Sequence, residues 1–223
     1  MTDFASARAT MVDTQIRTEG VTDHDVLRAM AEIPRERFLP AASRQFAYID
    51  DDILVAEPAA GRPARYLMRP TPLARLMQEA EIGQSDFVLV VGCPTGYSAA
   101  ILARLAGSVV ALESDEELAA KASENLLDQG IDNVAVVTGP LEAGYPSEGP
   151  YDVILLGGAV ETVPQNLFDQ LKEGGRLVAV VGYGRAAPAM VYTHTDDDFG
   201  GRAVFDVHLP PLPGFQAPKS FVF

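Results

Sequence analysis

The sequence has no tryptophan, one cysteine and three histidines among 223 residues. A lone thiol, Cys93, cannot close an internal disulfide, so nothing here calls for an oxidising compartment. His24, His194 and His208 show no metal-ligand spacing, and no run of cysteines supplies one. Asp50-Asp51-Asp52 and Asp196-Asp197-Asp198 lack the alternation and closing glutamate of a calcium loop. Basic residues are scarce: 17 Lys and Arg stand against 31 Asp and Glu, a net charge of −14. Non-specific phosphate binding runs on clustered cations, so no nucleic-acid partner is expected. Long apolar runs are missing as well. Phe87–Val91 and Val153–Leu156 fall far short of the ~20 residues that cross a bilayer, so no membrane partner is expected either. Met1-Thr2-Asp3-Phe4 lacks the basic-then-apolar start of a secretory signal, which makes a cytoplasmic location the expectation.

What is present is enough to bury one large core, with 48% hydrophobic residues. Residues 4 to 40 carry apolar positions at helical spacing (Val12, Ile16, Val21, Val26, Leu27, Met30, Ile33), with Thr22-Asp23 as a cap and Pro34 as a stop. From Asp50 to Pro72 the periodicity lapses, and the stretch reads as a long loop of the kind that carries function. From Phe87 the rhythm changes. Strand-length apolar runs at Phe87–Val91, Val109–Leu112, Val134–Val137, Val153–Leu156 and Leu177–Val181 are separated by helical patterns at Ser98–Leu105, Asp115–Gln129 and Thr162–Leu171. That alternation predicts an α/β fold with a mostly parallel twisted sheet covered on both faces. Ala189–Thr195 and Ala203–Leu209 predict an antiparallel hairpin at its end, and the Pro-rich segment from Pro210 an extended strap. The division expected is one domain over 1–223, with a helical extension and active-site loop at 1–80 and an α/β core at 81–223.

The first strand of that core runs into Gly92-Cys93-Pro94-Thr95-Gly96-Tyr97 and then a helix, a turn that lets backbone approach a ligand. The second strand ends in Glu113, where a carboxylate can accept both hydroxyls of a ribose, with Ser114 beside it. Together these make a nucleotide half-site. The middle glycine of a Gly-x-Gly-x-x-Gly dinucleotide fingerprint is replaced by Pro94, and Ala99 rather than glycine follows in the helix, so an NAD-type site is not expected. A cofactor without phosphates, such as S-adenosylmethionine, demands less of the turn. Cys93 reads as a buried, inert thiol. Gly157-Gly158-Ala159, after the fourth strand, falls at the edge where ligands bind and leaves room for substrate.

Met11-Val12-Asp13-Thr14-Gln15-Ile16-Arg17, Val26–Met30 and Ile33-Pro34-Arg35-Glu36-Arg37-Phe38-Leu39-Pro40 resemble the N-terminal signature of the protein-L-isoaspartate O-methyltransferases. Ala47-Tyr48, Ala74-Arg75, Gly96-Tyr97-Ser98-Ala99-Ala100, and Val163-Pro164 through Gly182 resemble further motifs of that family. The resemblance runs from about residue 8 to the end of the sheet. It implies a Rossmann-like S-adenosylmethionine methyltransferase fold that methylates the carboxylate of isoaspartyl residues in damaged proteins, the protein substrate being the partner. It places cofactor contacts at Gly92, Pro94, Gly96, Tyr97, Glu113, Ser114, Gly139 and Leu141, and the catalytic segment at Met68 and Arg69.

The sequence departs from the family where the chemistry belongs. The Thr-Ile-Ser-Gln-Pro segment reads Tyr66-Leu67-Met68-Arg69-Pro70, so a thioether replaces the serine hydroxyl. Val90 and Pro94 replace an acidic residue and a glycine of the cofactor motif, and Gly139-Pro140-Leu141 replaces Gly-Asp-Gly. The loop from Ala56 to Arg65 is longer and lacks the Pro-Ile-Gly-x-Gly-Gln text. Two readings follow: a methyltransferase in which Arg69 supplies a new carboxylate clamp, or a silent member whose cleft binds a peptide terminus or small anion.

Overall fold

The computed structural model describes residues 3–59, 61–196 and 198–216. Met1 and Thr2, Asp197 of the expected hairpin turn and the end of the expected strap from residue 217 lie outside these.

Residues 4–40 are largely helical, as their spacing predicts, but in three geometries. α1 (Phe4–Met11) starts at Asp3, which accepts the Ser6 N–H at 3.1 Å. It continues through a π-helical stretch at Val12–Ile16 and a 3-10 turn at Arg17–Glu19, ended by Gly20 at φ 87°. α2 (His24–Glu32) is capped by Asp23, whose carboxylate takes the N–H groups of Asp25 and Val26. Its Val26, Leu27, Ala29 and Met30 are buried against the rest of the chain.

Residues 50–72 are not a featureless loop. They hold an antiparallel pair, β1 (Ile53–Ala56) and β2 (Arg65–Leu67), and then α3 (Pro70–Glu79) begins with proline in its first turn. Each strand is only three or four residues long, too short to show a period in the sequence. The main sheet follows from β3 (Phe87–Val91), α4 (Tyr97–Leu105), β4 (Ser108–Glu113), α5 (Glu116–Asp128), β5 (Val134–Thr138), β6 (Tyr151–Val160), α6 (Gln165–Phe168), β7 (Leu171–Val181), β8 (Ala187–Thr195) and β9 (Asp198–Val207). Its order is β5-β4-β3-β6-β7-β8-β9, parallel as far as β7 and antiparallel through β8 and β9. This is the mostly parallel sheet with a closing hairpin that the run spacing predicts.

The helix expected over Thr162–Leu171 shrinks to one turn at Gln165–Phe168. The Gln170 carbonyl instead receives the Tyr151 N–H at 2.8 Å, and β7 is already under way at Leu171. Sheet pairing wins over a weak local pattern.

The continuous apolar strands are explained by two cores. Val88, Val90, Val153 and Leu155 face one, while Leu89, Val91, Ile154 and Leu156 face the other. The helices before residue 40 join the first core and pack on α3 and α4. Among the described residues, the cavities at the carboxyl edge of β3, β4 and β6 are lined from Gly61–Leu73 and Leu209–Gly214, with none from the N-terminal helices. Of the segment expected at 1–80, the active-site loop and the start of α3 reach these cavities, and α1 and α2 do not.

Candidate functional site

β3 and β6 are neighbours whose onward connections run in opposite directions across the sheet, the switch point where open α/β folds bind ligands. The turn after β3 is bounded by Gly92 and Gly96, at φ 82° and 92°. A side chain is excluded at Gly96 twice over, since its Cβ would also lie 3.1 Å from the Ala122 carbonyl oxygen. Asn125 of α5 donates to the Thr95 carbonyl at 2.9 Å and fixes the turn from behind. Pro94 sits buried between the glycines. Cys93 is buried, the Ser98 hydroxyl donates to its sulfur at 3.2 Å, and burial pushes the thiol up, as expected of an inert cysteine. Tyr97 is fully buried under the Arg35 guanidinium, 4.9 Å from the ring centre.

Glu113, at the end of β4, has no exposed surface. Its Oε1 accepts the Ser114 N–H at 2.8 Å and the Asp115 N–H at 3.2 Å. Its remaining capacity is taken by Arg65, the first residue of β2. One guanidinium nitrogen reaches Oε1, and Nη2 reaches Oε2 at 2.8 Å. The Arg65 side chain is only 7% exposed, so this is a bidentate, buried ion pair.

The strap from Pro210 is present as predicted and bonded to β6. The Ala159 N–H donates to the Pro210 carbonyl at 3.0 Å, and the Leu212 N–H to the Ala159 carbonyl at 2.8 Å. These bonds lay Leu212 over the glycine turn. A Cβ on Gly92 would lie 2.5 Å from Leu212 Cδ2 and 3.6 Å from Arg65 Nη2. The room expected at Gly157-Gly158 is filled as well. Gly157 backs onto the Gly92 carbonyl, and a Cβ on Gly158 would meet the Pro210 oxygen at 2.8 Å. These glycines permit backbone contact within the protein, and the cavities they line, about 10 and 20 Å³, are too small for a substrate.

The expected site residues therefore fall into two groups. Met68, Gly92, Pro94 and Tyr97 surround a cavity of about 20 Å³, room for roughly one water. Ser114 and Leu141 line a second cavity of about 270 Å³ with Arg62, Arg65, Asp115 and Gly214, and Gly139 precedes it. Met68 is buried and packs into the first core, the gap-filling role that its chemistry suggests. Arg69 is held at both ends: its N–H donates to Asp52 at 2.8 Å and its Nη2 to the His208 carbonyl at 3.1 Å. Asp50 likewise accepts the Thr71 N–H at 3.0 Å, so two of the three aspartates anchor the start of α3.

S-adenosylmethionine, expected at Glu113 and the Gly92 turn, finds both positions covered by the protein's own side chains in this arrangement. Both oxygens of Glu113 are bonded to the Arg65 guanidinium, which stands where a ribose diol would bind, and the face of Gly92 that a ligand must approach is covered by Leu212. Sequence reading missed Arg65, because Arg62, Arg65 and Arg69 look alike in a segment without periodicity.

The sequence profile of the family "Protein-L-isoaspartate(D-aspartate) O-methyltransferase (PCMT)" matches residues 6–212. A protein-L-isoaspartate O-methyltransferase of Koribacter versatilis is 42% identical over 182 residues, 82% of this chain and 79% of the relative. Protein-L-isoaspartate O-methyltransferase 1 of Rhodopseudomonas palustris is 37% identical over 221 residues, 98% of this chain and 88% of the relative. A solved protein-L-isoaspartate O-methyltransferase superposes with a TM-score of 0.82 at 28% identity, over 93% of this chain and 67% of that one. A Plasmodium falciparum protein of the same description, solved with S-adenosyl-L-homocysteine, superposes with a TM-score of 0.77 at 18% identity, over 96% of this chain and 100% of that one; it shares the fold.

Proposed function

The chain belongs to the protein-L-isoaspartate(D-aspartate) O-methyltransferase family, and from that premise we propose that its cleft serves the transfer of a methyl group from S-adenosylmethionine to the carboxylate of isoaspartyl residues in damaged proteins. S-adenosylmethionine is the methyl donor of this family. The observation that supports the reading is the position of Glu113. It is a carboxylate held by two backbone N–H groups at the end of β4, beside a glycine-bounded turn at the sheet's switch point.

The closed arrangement does not admit the donor, so the reaction belongs to a cleft opened at Arg65 and the strap. What the chain's own residues supply is position and dryness. The nucleophile is a carboxylate already ionised near pH 7, so no general base is required. The task is to hold it in line and away from water. With methionine at position 68 there is no hydroxyl to do so. Arg69 is the replacement: its Nη2 is committed to the His208 carbonyl, and a guanidinium has further donors to offer a carboxylate.

The second reading, a member that binds without transferring methyl, is favoured by Arg65 standing on Glu113. The experiment that separates the two is incubation with labelled S-adenosylmethionine and an isoaspartyl peptide, followed by release of base-labile methanol. Label that appears with the isoaspartyl peptide and not with its aspartyl counterpart supports methyl transfer. Absence of label with both assigns the chain to the silent reading.

A further inference from the structure

We propose that the methyl-donor cleft of this protein is closed by its own chain, through a latch of two parts that an adenosyl ligand must displace. The inference rests on reading the cleft as the family's donor site.

The first part is Arg65. Its guanidinium spans both oxygens of Glu113, the same two acceptors that a ribose diol would use. The pair is buried on both sides, with the Arg65 side chain 7% exposed, so a ligand cannot reach Glu113 past it. Glu113 Oε1 already takes the N–H groups of Ser114 and Asp115 and the Ser114 hydroxyl, and the whole carboxylate is sealed from water. A ligand at Glu113 therefore replaces Arg65 rather than adding to it. Charge adds to the obstruction. Arg65 Nη2 lies 3.6 Å from the Cβ position of Gly92, so a fixed cation stands at the turn where a sulfonium donor, itself cationic, would arrive.

The second part is Leu212, and it is built independently of the first. The strap reaches the site because Pro210 and Leu212 exchange backbone hydrogen bonds with Ala159 of β6, in the manner of an added parallel strand. Leu212 is 4% exposed and joins the core formed by Leu89, Val91 and Leu156. It covers Gly92 so closely that even a methyl group there would overlap it. Phe215, also buried, anchors the strap beyond it in the same core.

Arg65 lines both the small cavity at Met68, Gly158 and Leu212 and the larger one at Ser114 and Leu141, and so stands between them. With the latch open these become one continuous cleft; with it shut, neither half can hold the whole ligand. A binding-competent state that is a minor fraction of the population weakens the apparent affinity by that fraction. The latch thus sets affinity for the donor without touching the reacting atoms.

The test is calorimetric titration of the full chain with S-adenosyl-L-homocysteine, comparing wild type, Leu212→Ala, Arg65→Ala and the double variant. Leu212→Ala is the primary arm, because it leaves the Arg65–Glu113 pair intact, whereas Arg65→Ala strands a buried carboxylate and can unfold the protein. The expected result is millimolar binding by wild type, about tenfold tighter binding by Leu212→Ala, and tighter binding again wherever a folded Arg65 variant is obtained. Wild type that binds as tightly as Leu212→Ala would overturn the latch and leave the donor-site reading standing. Absence of heat from wild type and folded variants alike at several millimolar would overturn the latch together with the donor-site reading.

Discussion

The carboxylate of Asp52 accepts the backbone N–H of Arg69 at 2.8 Å, one residue ahead of the start of α3. Burial pushes the Asp52 carboxyl above its ordinary range, against the pull of the Arg69 hydrogen bond and charge. An acid whose folded value is raised contributes stability that is present at low pH and lost as pH rises through that value. Asp52→Asn keeps an acceptor for the Arg69 N–H and removes the buried charge. Its melting temperature is therefore expected to equal or exceed wild type at neutral pH, with the gap closing as pH falls into the carboxylate range. A wild type that melts higher at pH 7 and loses its lead in acid would show that Arg69 and Arg35 outweigh desolvation.

Glu113 makes the opposite case. Replacing it by glutamine leaves the Arg65 guanidinium buried without a countercharge, which typically costs about 3–5 kcal/mol. Glu117→Gln removes one of the partners of Arg62 in a solvent-screened surface pair and is expected to leave stability nearly unchanged. Urea midpoints of the two variants measured side by side decide the matter. Equal shifts would mean that Arg65 relaxes into solvent once Glu113 is neutral.

The sheet was legible because its inner parallel strands, β3, β4, β6 and β7, are buried on both faces, which writes an unbroken apolar run into the sequence. Residues 50–72 were illegible for the converse reason. Their hydrogen bonds come from Asp50, Asp52 and a three-residue strand, contacts that leave no period behind. Of the candidate site, the turn at Gly92–Gly96 and the acid at Glu113 could be read from residue type and position. The partner of Glu113 could not, since Arg65 precedes it by 48 residues on a separate two-stranded sheet. Gly157-Gly158 shows the limit of reading glycine as open space. The missing side chains are matched by Leu212 and the Gly92 and Pro210 carbonyls, which only the fold brings near.

That match supplies a paired prediction. Gly157→Ala drives a methyl group into the Gly92 carbonyl, a backbone neighbour that cannot rotate away, and overpacking of this kind costs about 1–3 kcal/mol. Gly200→Ala on β9 meets nothing within 4 Å and is expected to leave the melting temperature unchanged or slightly raised. A Gly157→Ala variant as stable as Gly200→Ala would mean that β6 shifts freely at its irregular register between Leu155 and Ala159.

Arg69 holds the strap and is proposed to hold the substrate carboxylate, and the two roles must be told apart by which constant moves. Its Nη2 holds the His208 carbonyl, two residues before the strap begins to bond to β6 at Pro210, and its other donors are assigned above to the substrate carboxylate. Loss of a charge-assisted hydrogen bond of about 1.5–3 kcal/mol corresponds to roughly ten- to a hundred-fold in affinity. Arg69→Ala is accordingly expected to raise the KM for an isoaspartyl peptide by at least about tenfold while S-adenosyl-L-homocysteine affinity stays within a factor of about two. Arg69→Lys is expected to recover only part of the loss, because a point charge cannot reproduce the planar fork. The sign of a purely structural role is different. If Arg69 serves only to pin the strap through His208, Arg69→Ala loosens the cover on Gly92, and the same titration shows tighter ligand binding with the peptide KM unchanged.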